Sequence, residues 1–411
     1  MTQSFLRRPG FSSQASRSRI AHSEVKKLDS ANPPKPDVRT NEKIANGQHA
    51  TVTSCHFAFE SWLQSSISDI VFEMSSPTTT PTNDTNVKGV AFVGLGKIGY
   101  AIAKNIITKS SLPTSTIFSH FDINTSICEQ LAEETPSKAA ASIAEAVADA
   151  DVVFTALPND AILFTVSRGD GGIISSLSPG AIHVSCSTVS PDTSRAIAKE
   201  HKERGSGFVC APVFARPDGM ALGHATIPVS GADEYVQRVL PLLNATATEV
   251  RTGFGSDTGA ANVVKLAGNF LIASAIESMG EAFALSEAQG VDREAVRSLL
   301  TDTIFDCLIY KGYGQRVARR DHAPYPNAHF ALDLGRKDVE LVRQTAASVN
   351  VPMPVASLLG DRFSSAVAKG RSDLDWSAVG LASSEDAGIN VSEHIEHCRR
   401  PDPKIDWKPP T

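Results

Sequence analysis

The stretch "VKGVAFVGLGKIGYAIAKNII" (residues 87–107) decides the fold. A short β-rich run, VAFV, ends in glycines, and a helical pattern starts directly after them. Gly94, Gly96 and Gly99 stand in G-x-G-x-x-G order between strand and helix. In that context the pattern reads as the phosphate turn of a dinucleotide-binding βαβ unit. Gly94 permits a tight turn, Gly96 a close approach of pyrophosphate to backbone, and Gly99 the packing of helix on strand. Leu95, Lys97 and Ile98 complete the loop, and the helix N-terminus faces the phosphates.

Downstream, strand patterns at 115–122, 150–158, 181–188 and 207–213 alternate with helical ones such as "CEQLAEE" and "PDTSRAIAKEHKERG". Such alternation predicts right-handed βαβ units and a mainly parallel sheet. The second strand ends in Asp122. Its carboxylate either accepts hydrogen bonds from the adenosine ribose and repels a 2′-phosphate, or is a solvated turn residue. The first reading favours NAD without excluding NADP.

Strand signals stop after "TEVRTG" (248–253). "GAANVVKLAGNFLIASAIESMGEAFALSEAQG" (259–290) is the longest helix candidate, with Gly290 as its stop. Its first half is apolar nearly all round, from Val263 to Ile276, which predicts burial by its own domain or by a partner subunit. Homodimer or homotetramer formation through the helical domain follows as an expectation. Further helices are predicted at 292–300, near 330–348 and near 354–370. The fold class is therefore α/β: an N-terminal Rossmann doubly wound sheet over 87–255, followed by an all-α C-terminal domain over 256–383.

Both ends differ in composition. Residues 1–86 are rich in Ser, Thr, Asn and Pro and predict a disordered N-terminal extension. Four arginines and no acid precede Glu24. Residues 1–30 thus read either as a mitochondrial transit peptide or as the tail of a cytoplasmic protein. Met74 is an alternative start. Residues 384–411 read as a polar, Pro-rich, loosely ordered tail.

The 411 residues carry 39 Lys plus Arg against 45 Asp plus Glu, a formal charge of −6. That balance argues against a phosphate backbone, and so a nucleic acid, as the main partner, although it allows a local basic patch. No uninterrupted apolar run reaches the ~18–20 residues that span a bilayer, and Lys265 and Asn269 break the longest one. The six cysteines form no C-x-x-C pair and neighbour no histidine at ligand spacing. They read as free thiols, with no disulfide framework and no metal site.

Lys265 and Asn269 are i and i+4 on one helix face. Lysines are rarely buried, and one in the first turns of a helix opposes the macrodipole. Spacing alone leaves two readings: a desolvated lysine with its pKa lowered toward ~7–8 for proton transfer, or one that snorkels to solvent.

With these residues in view, segment 87–383 resembles the β-hydroxyacid dehydrogenases, which include 3-hydroxyisobutyrate dehydrogenase and the glyoxylate and succinic semialdehyde reductases. "FVGLGKIGYAIAKNI" is similar to the family's N-terminal signature, and "ALP" (156–158) to the segment under the cofactor. "STVSP" (187–191) resembles S-T-x-x-P, and "GAANVVKLAGN" (259–269) the G-x-x-x-x-x-K-x-x-x-N that carries the catalytic lysine. "FALDLGRKD" (330–338) resembles the late F-x-x-x-x-x-x-K-D. The resemblance implies an NAD(P)-dependent oxidoreductase acting on a hydroxy acid or related alcohol or carbonyl. Lys265 would be its general acid–base, and Asn269 would orient substrate and lysine. Leu157, Pro158, Ser187, Thr188 and Lys337 would lie along the cofactor, with Phe330 and Asp338 closing the site from the helical domain.

One segment departs from the pattern. Where the family has D-A-P-V-S-G-G, this chain has "APVFARP" (211–217), placing Phe214, Ala215 and Arg216 in the substrate loop. Phe214 points to a larger or more apolar substrate. Arg216 either replaces a lost carboxylate contact or lies solvated. Gly268 replaces a usual Asn, an exchange expected to widen the pocket. Two alternatives stand beside the dehydrogenase: an imine reductase, favoured by the altered loop but opposed by Lys265, and a non-catalytic cofactor-binding module.

Overall fold

The computed structural model describes residues 87–324 and 328–399. The expectations placed on residues 1–86, including a transit peptide or a cytoplasmic tail, lie outside the described residues. Chain order in the first half is β1 (Gly89–Val93), α1 (Lys97–Lys109), β2 (Ile117–Phe121), α2 (Thr125–Glu134), β3 (Lys138–Ala139), α3 (Ile143–Val147), β4 (Val152–Thr155), α4 (Asp160–Ser167), α5 (Ile173–Ser176), β5 (Ile182–Ser185), α6 (Pro191–Glu203), β6 (Gly207–Cys210), α7 (Pro217–Leu222), β7 (Thr226–Pro228), β8 (Ser230–Gly231), α8 (Asp233–Asn244) and β9 (Glu249–Arg251).

The main sheet has the order β3-β2-β1-β4-β5-β6-β8. Its first six strands are parallel, and β8 pairs antiparallel with β6 at the edge. β7 and β9 form a separate parallel pair. Strands β1, β4, β5 and β6 are buried at every position. Helices cover both faces there, so neither face of these strands is left to solvent, and the polar His183 and Ser185 of β5 are buried as well. β2 lies one strand from the edge and alternates between buried and open positions. The order reverses between β1 and β4, which opens a crevice at the carboxyl ends of the strands. Side-chain caps on Asn124, Ser142, Asn159 and Ser190 set where helices α2, α3, α4 and α6 begin.

The second half is helical: α9 (Ala260–Ala288), α10 (Arg293–Thr301), α11 (Leu308–Arg319), α12 (Leu332–Ser348), α13 (Pro354–Ala368), a 3-10 turn (Trp376–Gly380), α14 (Leu381–Asp386) and α15 (Ser392–Arg399). α9 is the axis, and α10 to α14 and the 3-10 turn all pack against it. By length and hydropathy it alone among the described residues would suffice to cross a bilayer. Here it is the core helix of its domain, with Ile276, Met279 and Phe283 in one apolar cluster with Tyr313, Phe363 and Trp376.

The structure differs from the expectations at two places. Residues 384–399 are not a loose tail, because α15 and the residue before it dock through Val391, Ile395 and Cys398, while the rest of the expected tail lies outside the described residues. The Cys398 thiol accepts the His322 N–H at 3.2 Å. Only one stripe of this helix is apolar, so its composition reads as polar although its packing is not. Helical packing on this cluster thus continues past residue 383 into α15. Helix α11 was not predicted, since Gly312 and Gly314 interrupt its pattern; both face close neighbours, Arg216 and the Thr301–Met279 pair respectively. Within one copy of the chain the apolar first half of α9 is not covered all round, and Leu271 is 65% exposed, which leaves burial by a partner subunit open. Among the described residues the five cysteines are free thiols, four of them buried.

Candidate active site

The turn after β1 is built as its glycines require. Gly94 has φ +90°, and a Cβ there would lie 2.8 Å from the Ala156 carbonyl oxygen. A Cβ on Gly99 would strike the Gly94 carbonyl, so only glycine lets α1 seat against the strand. A Cβ on Gly96 would meet nothing within 4 Å. The open space lies at the amino end of α1, where a pyrophosphate needs room and free N–H groups. Leu95 is buried beneath the turn, Ile98 packs on the core, and Lys97 is exposed at the first helical position. Burial of its stem draws the Lys97 ammonium below its usual pKa.

Asp122 closes the turn from β2. Its carboxylate accepts the Leu95 N–H at 2.6 Å and the Asn124 N–H at 2.8 Å. It is thus fixed beside the glycine loop by one bond and caps the turn before α2 by the other, and it remains partly exposed. Across the crevice, Ser187 is buried and its Oγ accepts the Leu157 N–H at 2.8 Å, which ties the ALP and STVSP segments together. The cradle, the anchored carboxylate and the joined loops fit a bound dinucleotide.

Lys265 lies on α9, where only 8% of it is exposed. Its Nζ donates to Asn269 Oδ1 at 3.1 Å and sits 4.2 Å from the centroid of the Phe214 ring. The snorkelling alternative is thus excluded by position. Asn269 Nδ2 donates to Asp338 Oδ2 at 2.5 Å, and Asp338 pairs with Lys337 at 2.9 Å. Lys337 Nζ also donates to the Thr188 carbonyl at 2.6 Å. One polar chain therefore runs from α9 through α12 to the loop after β5. Burial brings the Lys265 ammonium down to about 8; Asp338 opposes this, and Lys337 adds to it.

The remaining loop residues divide. The Phe214 ring fills the notch at Gly268, where a Cβ would come within 2.5 Å of ring carbons. Gly268 therefore does not widen the pocket, because the neighbouring ring occupies the volume that it vacates. Arg216 is partly exposed: its guanidinium lies beside Gly312 and pairs with Asp218 at 3.5 Å. Ala215 packs against the core of the first domain. Phe330 makes an edge contact with Trp376, its centroid 4.9 Å away, within the helical core.

Two site residues were not anticipated. Asn262 donates to Ser194 Oγ at 2.9 Å and to Cys210 Sγ at 3.1 Å, and its Oδ1 accepts the Val189 N–H. It pins the start of α9 to the STVSP loop. Asp160 accepts from Ser190 N–H and Thr193 Oγ1 and holds the same loop. A signal for Asn262 existed, since it lies three and seven residues before Lys265 and Asn269 on one helix face.

Residues 89–255 match the family described as the NAD-binding domain of 6-phosphogluconate dehydrogenase. Residues 259–381 match the family described as NAD-binding of NADP-dependent 3-hydroxyisobutyrate dehydrogenase. An uncharacterized oxidoreductase of Bacillus subtilis is 32% identical over 290 residues, covering 71% of this chain and 98% of that protein. This chain belongs to the 3-hydroxyisobutyrate dehydrogenase-like family. As a β-hydroxyacid dehydrogenase relative, it is an NAD(P)-dependent oxidoreductase of CH–OH groups. It is also similar to 2-(hydroxymethyl)glutarate dehydrogenase of Eubacterium barkeri, 27% identical over 74% of this chain and 97% of that one. A solved structure of 3-hydroxyisobutyrate dehydrogenase from Salmonella typhimurium superposes with a TM-score of 0.63. It is 27% identical and covers 72% of this chain and 99% of its own.

Proposed function

We propose that this dehydrogenase interconverts a hydroxy acid or related alcohol with its carbonyl compound, and that Lys265 carries the proton. The observation that carries the reading is a buried lysine joined through Asn269, Asp338 and Lys337 to Thr188 at the cofactor loop. The named activities of 2-(hydroxymethyl)glutarate dehydrogenase and 3-hydroxyisobutyrate dehydrogenase support the substrate class.

Gly94 to Gly99, Asp122, Leu157, Pro158, Ser187, Thr188 and Lys337 would hold the dinucleotide. When bound, its nicotinamide supplies hydride in reduction and accepts it in oxidation. The chain's own residues manage the proton. In reduction the Lys265 ammonium donates to the carbonyl oxygen; in oxidation its neutral amine takes the hydroxyl proton. An ammonium brought to about 8 populates both forms near neutral pH. Asn269 fixes the direction of Nζ, and Asp338 fixes Asn269.

NAD is the proposed cofactor. The Asp122 carboxylate stands where a 2′-phosphate would be repelled, and Ile123 and Asn124 follow it with no cation. Copies of the chain are proposed to associate through the open apolar face of α9, where Val263, Leu271 and Leu285 remain exposed. Leu271→Glu should then shift the sedimenting species toward monomer.

The test of the reaction is a reduction screen with NADH and NADPH over aldehydo- and keto-acids, larger apolar carbonyls and cyclic imines. Lys265→Ala should lower carbonyl reduction by about 10²–10⁴-fold. Full activity in that variant, or turnover of imines alone, would overturn the proposal.

A further inference from the structure

Phe214 and Gly268 occupy each other's space. The Phe214 ring enters the volume that a side chain at 268 would fill and lies under the Lys265 ammonium. Its backbone has little freedom to withdraw. Phe214 N–H donates to the Thr226 carbonyl at 2.9 Å, and Thr226 N–H donates back at 3.1 Å. This wall of the lysine site therefore presents an aromatic surface whose main-chain donor is already engaged. Of the flanking side chains, Val213 is buried and Ala215 packs in the core, while the Arg216 guanidinium is drawn toward Asp218 and Gly312.

The other nearby cations are committed. Lys265 must present its proton to the reacting oxygen, and Lys337 is held by Asp338 and the Thr188 carbonyl. A carboxylate pressed against the Phe214 wall would lose water and gain no hydrogen bond, which is costly. An alkyl or aryl arm would instead bury apolar surface there.

We propose that the Phe214–Gly268 pair determines specificity by selecting substrates whose arm beside the reacting carbon is uncharged and apolar. The inference rests on the lysine reading above and narrows its substrate class to apolar alcohols and aldehydes.

The test compares butanal with 4-oxobutanoate, which share a four-carbon aldehyde chain and differ in a terminal methyl or carboxylate. The intact enzyme should reduce butanal with a kcat/KM at least about tenfold higher, mainly through KM, since a carboxylate against an apolar wall loses its hydration. Phe214→Ser combined with Gly268→Asn should bring the two substrates within about threefold or invert them, because it exchanges the ring for donors. Should the double variant not fold, Phe214→Leu and Phe214→Ser are compared: leucine should retain the preference and serine lose it. A wild-type preference for 4-oxobutanoate, or equal effects of these changes on both aldehydes, would overturn the proposal. Lys265→Ala separates the two readings. Activity surviving in that variant removes the acid–base role, while the aldehyde ratio still reports on Phe214.

Discussion

Replacing Asp338 with Asn removes one negative charge from the chain that orients Lys265 while keeping an oxygen able to accept from Asn269. In the intact protein the carboxylate holds the lysine ammonium up against the pull of burial and of Lys337. The two charges are bridged by a single amide, Lys265 Nζ to Asn269 Oδ1 at 3.1 Å and Asn269 Nδ2 to Asp338 Oδ2 at 2.5 Å. Their separation is on the order of 6–8 Å, which at an effective dielectric near ~20 corresponds to about 2 kcal/mol. That energy moves a titration by roughly one to two pH units. The sign follows from the charge: without the carboxylate the ammonium is less favoured, so the lysine loses its proton at lower pH. The assay is kcat/KM against pH in both directions. For the intact enzyme, oxidation should rise and reduction should fall as pH passes through about 8. In Asp338→Asn both limbs should move to lower pH. A midpoint that stays in place while the rate drops would refute the electrostatic argument and leave Asp338 as a positioning residue for Asn269. A move to higher pH would mean that another group carries the proton.

Other outcomes follow from the same structure. Asp122→Asn should lower the NADH over NADPH ratio of kcat/KM by at least about tenfold, measured with saturating carbonyl substrate, because the repulsion of a 2′-phosphate is lost. The first domain also contains a buried polar chain: Thr155 Oγ1 to His183 Nε2 at 2.9 Å, His183 Nδ1 to His201 Nε2 at 3.0 Å, and His201 Nδ1 to Ser206 Oγ at 2.8 Å. Burial pushes His183 well below the usual histidine range and His201 down to about 4. Both titrate lower in the folded chain than in the unfolded one, so the unfolded state binds more protons below about 6.5, and stability falls as pH drops from there toward 4. His201 alone should contribute about 3 kcal/mol of that loss by pH 4. Urea unfolding at pH 7 and pH 4.5 checks this; His201→Asn should narrow the gap between the two, and an unchanged gap would count against the assignment.

Much of this protein was legible in its residues because the signals are local. Gly94, Gly96 and Gly99 are dictated by a turn a few residues long, and β1 and β4 announce their burial by apolar runs. Lys265 and Asn269 share a helix face by spacing alone, and so does the unanticipated Asn262. What failed was local in appearance and tertiary in cause. Helix α11 hides behind two glycines whose purpose is close packing, and α15 looks polar because three apolar residues suffice to dock it.

The sequence by itself determined the dinucleotide turn, the alternating α/β order and the candidate lysine, since each follows from short-range periodicity and side-chain chemistry. Tertiary structure decided the state of that lysine. Its burial, its chain to Thr188 and the ring beneath it bring together residues 214, 265, 338 and 188, which no spacing along the chain connects. Tertiary structure also turned two apparently separate departures, Phe214 and Gly268, into one feature, because volume in a packed interior is shared between neighbours in space and not between neighbours in sequence.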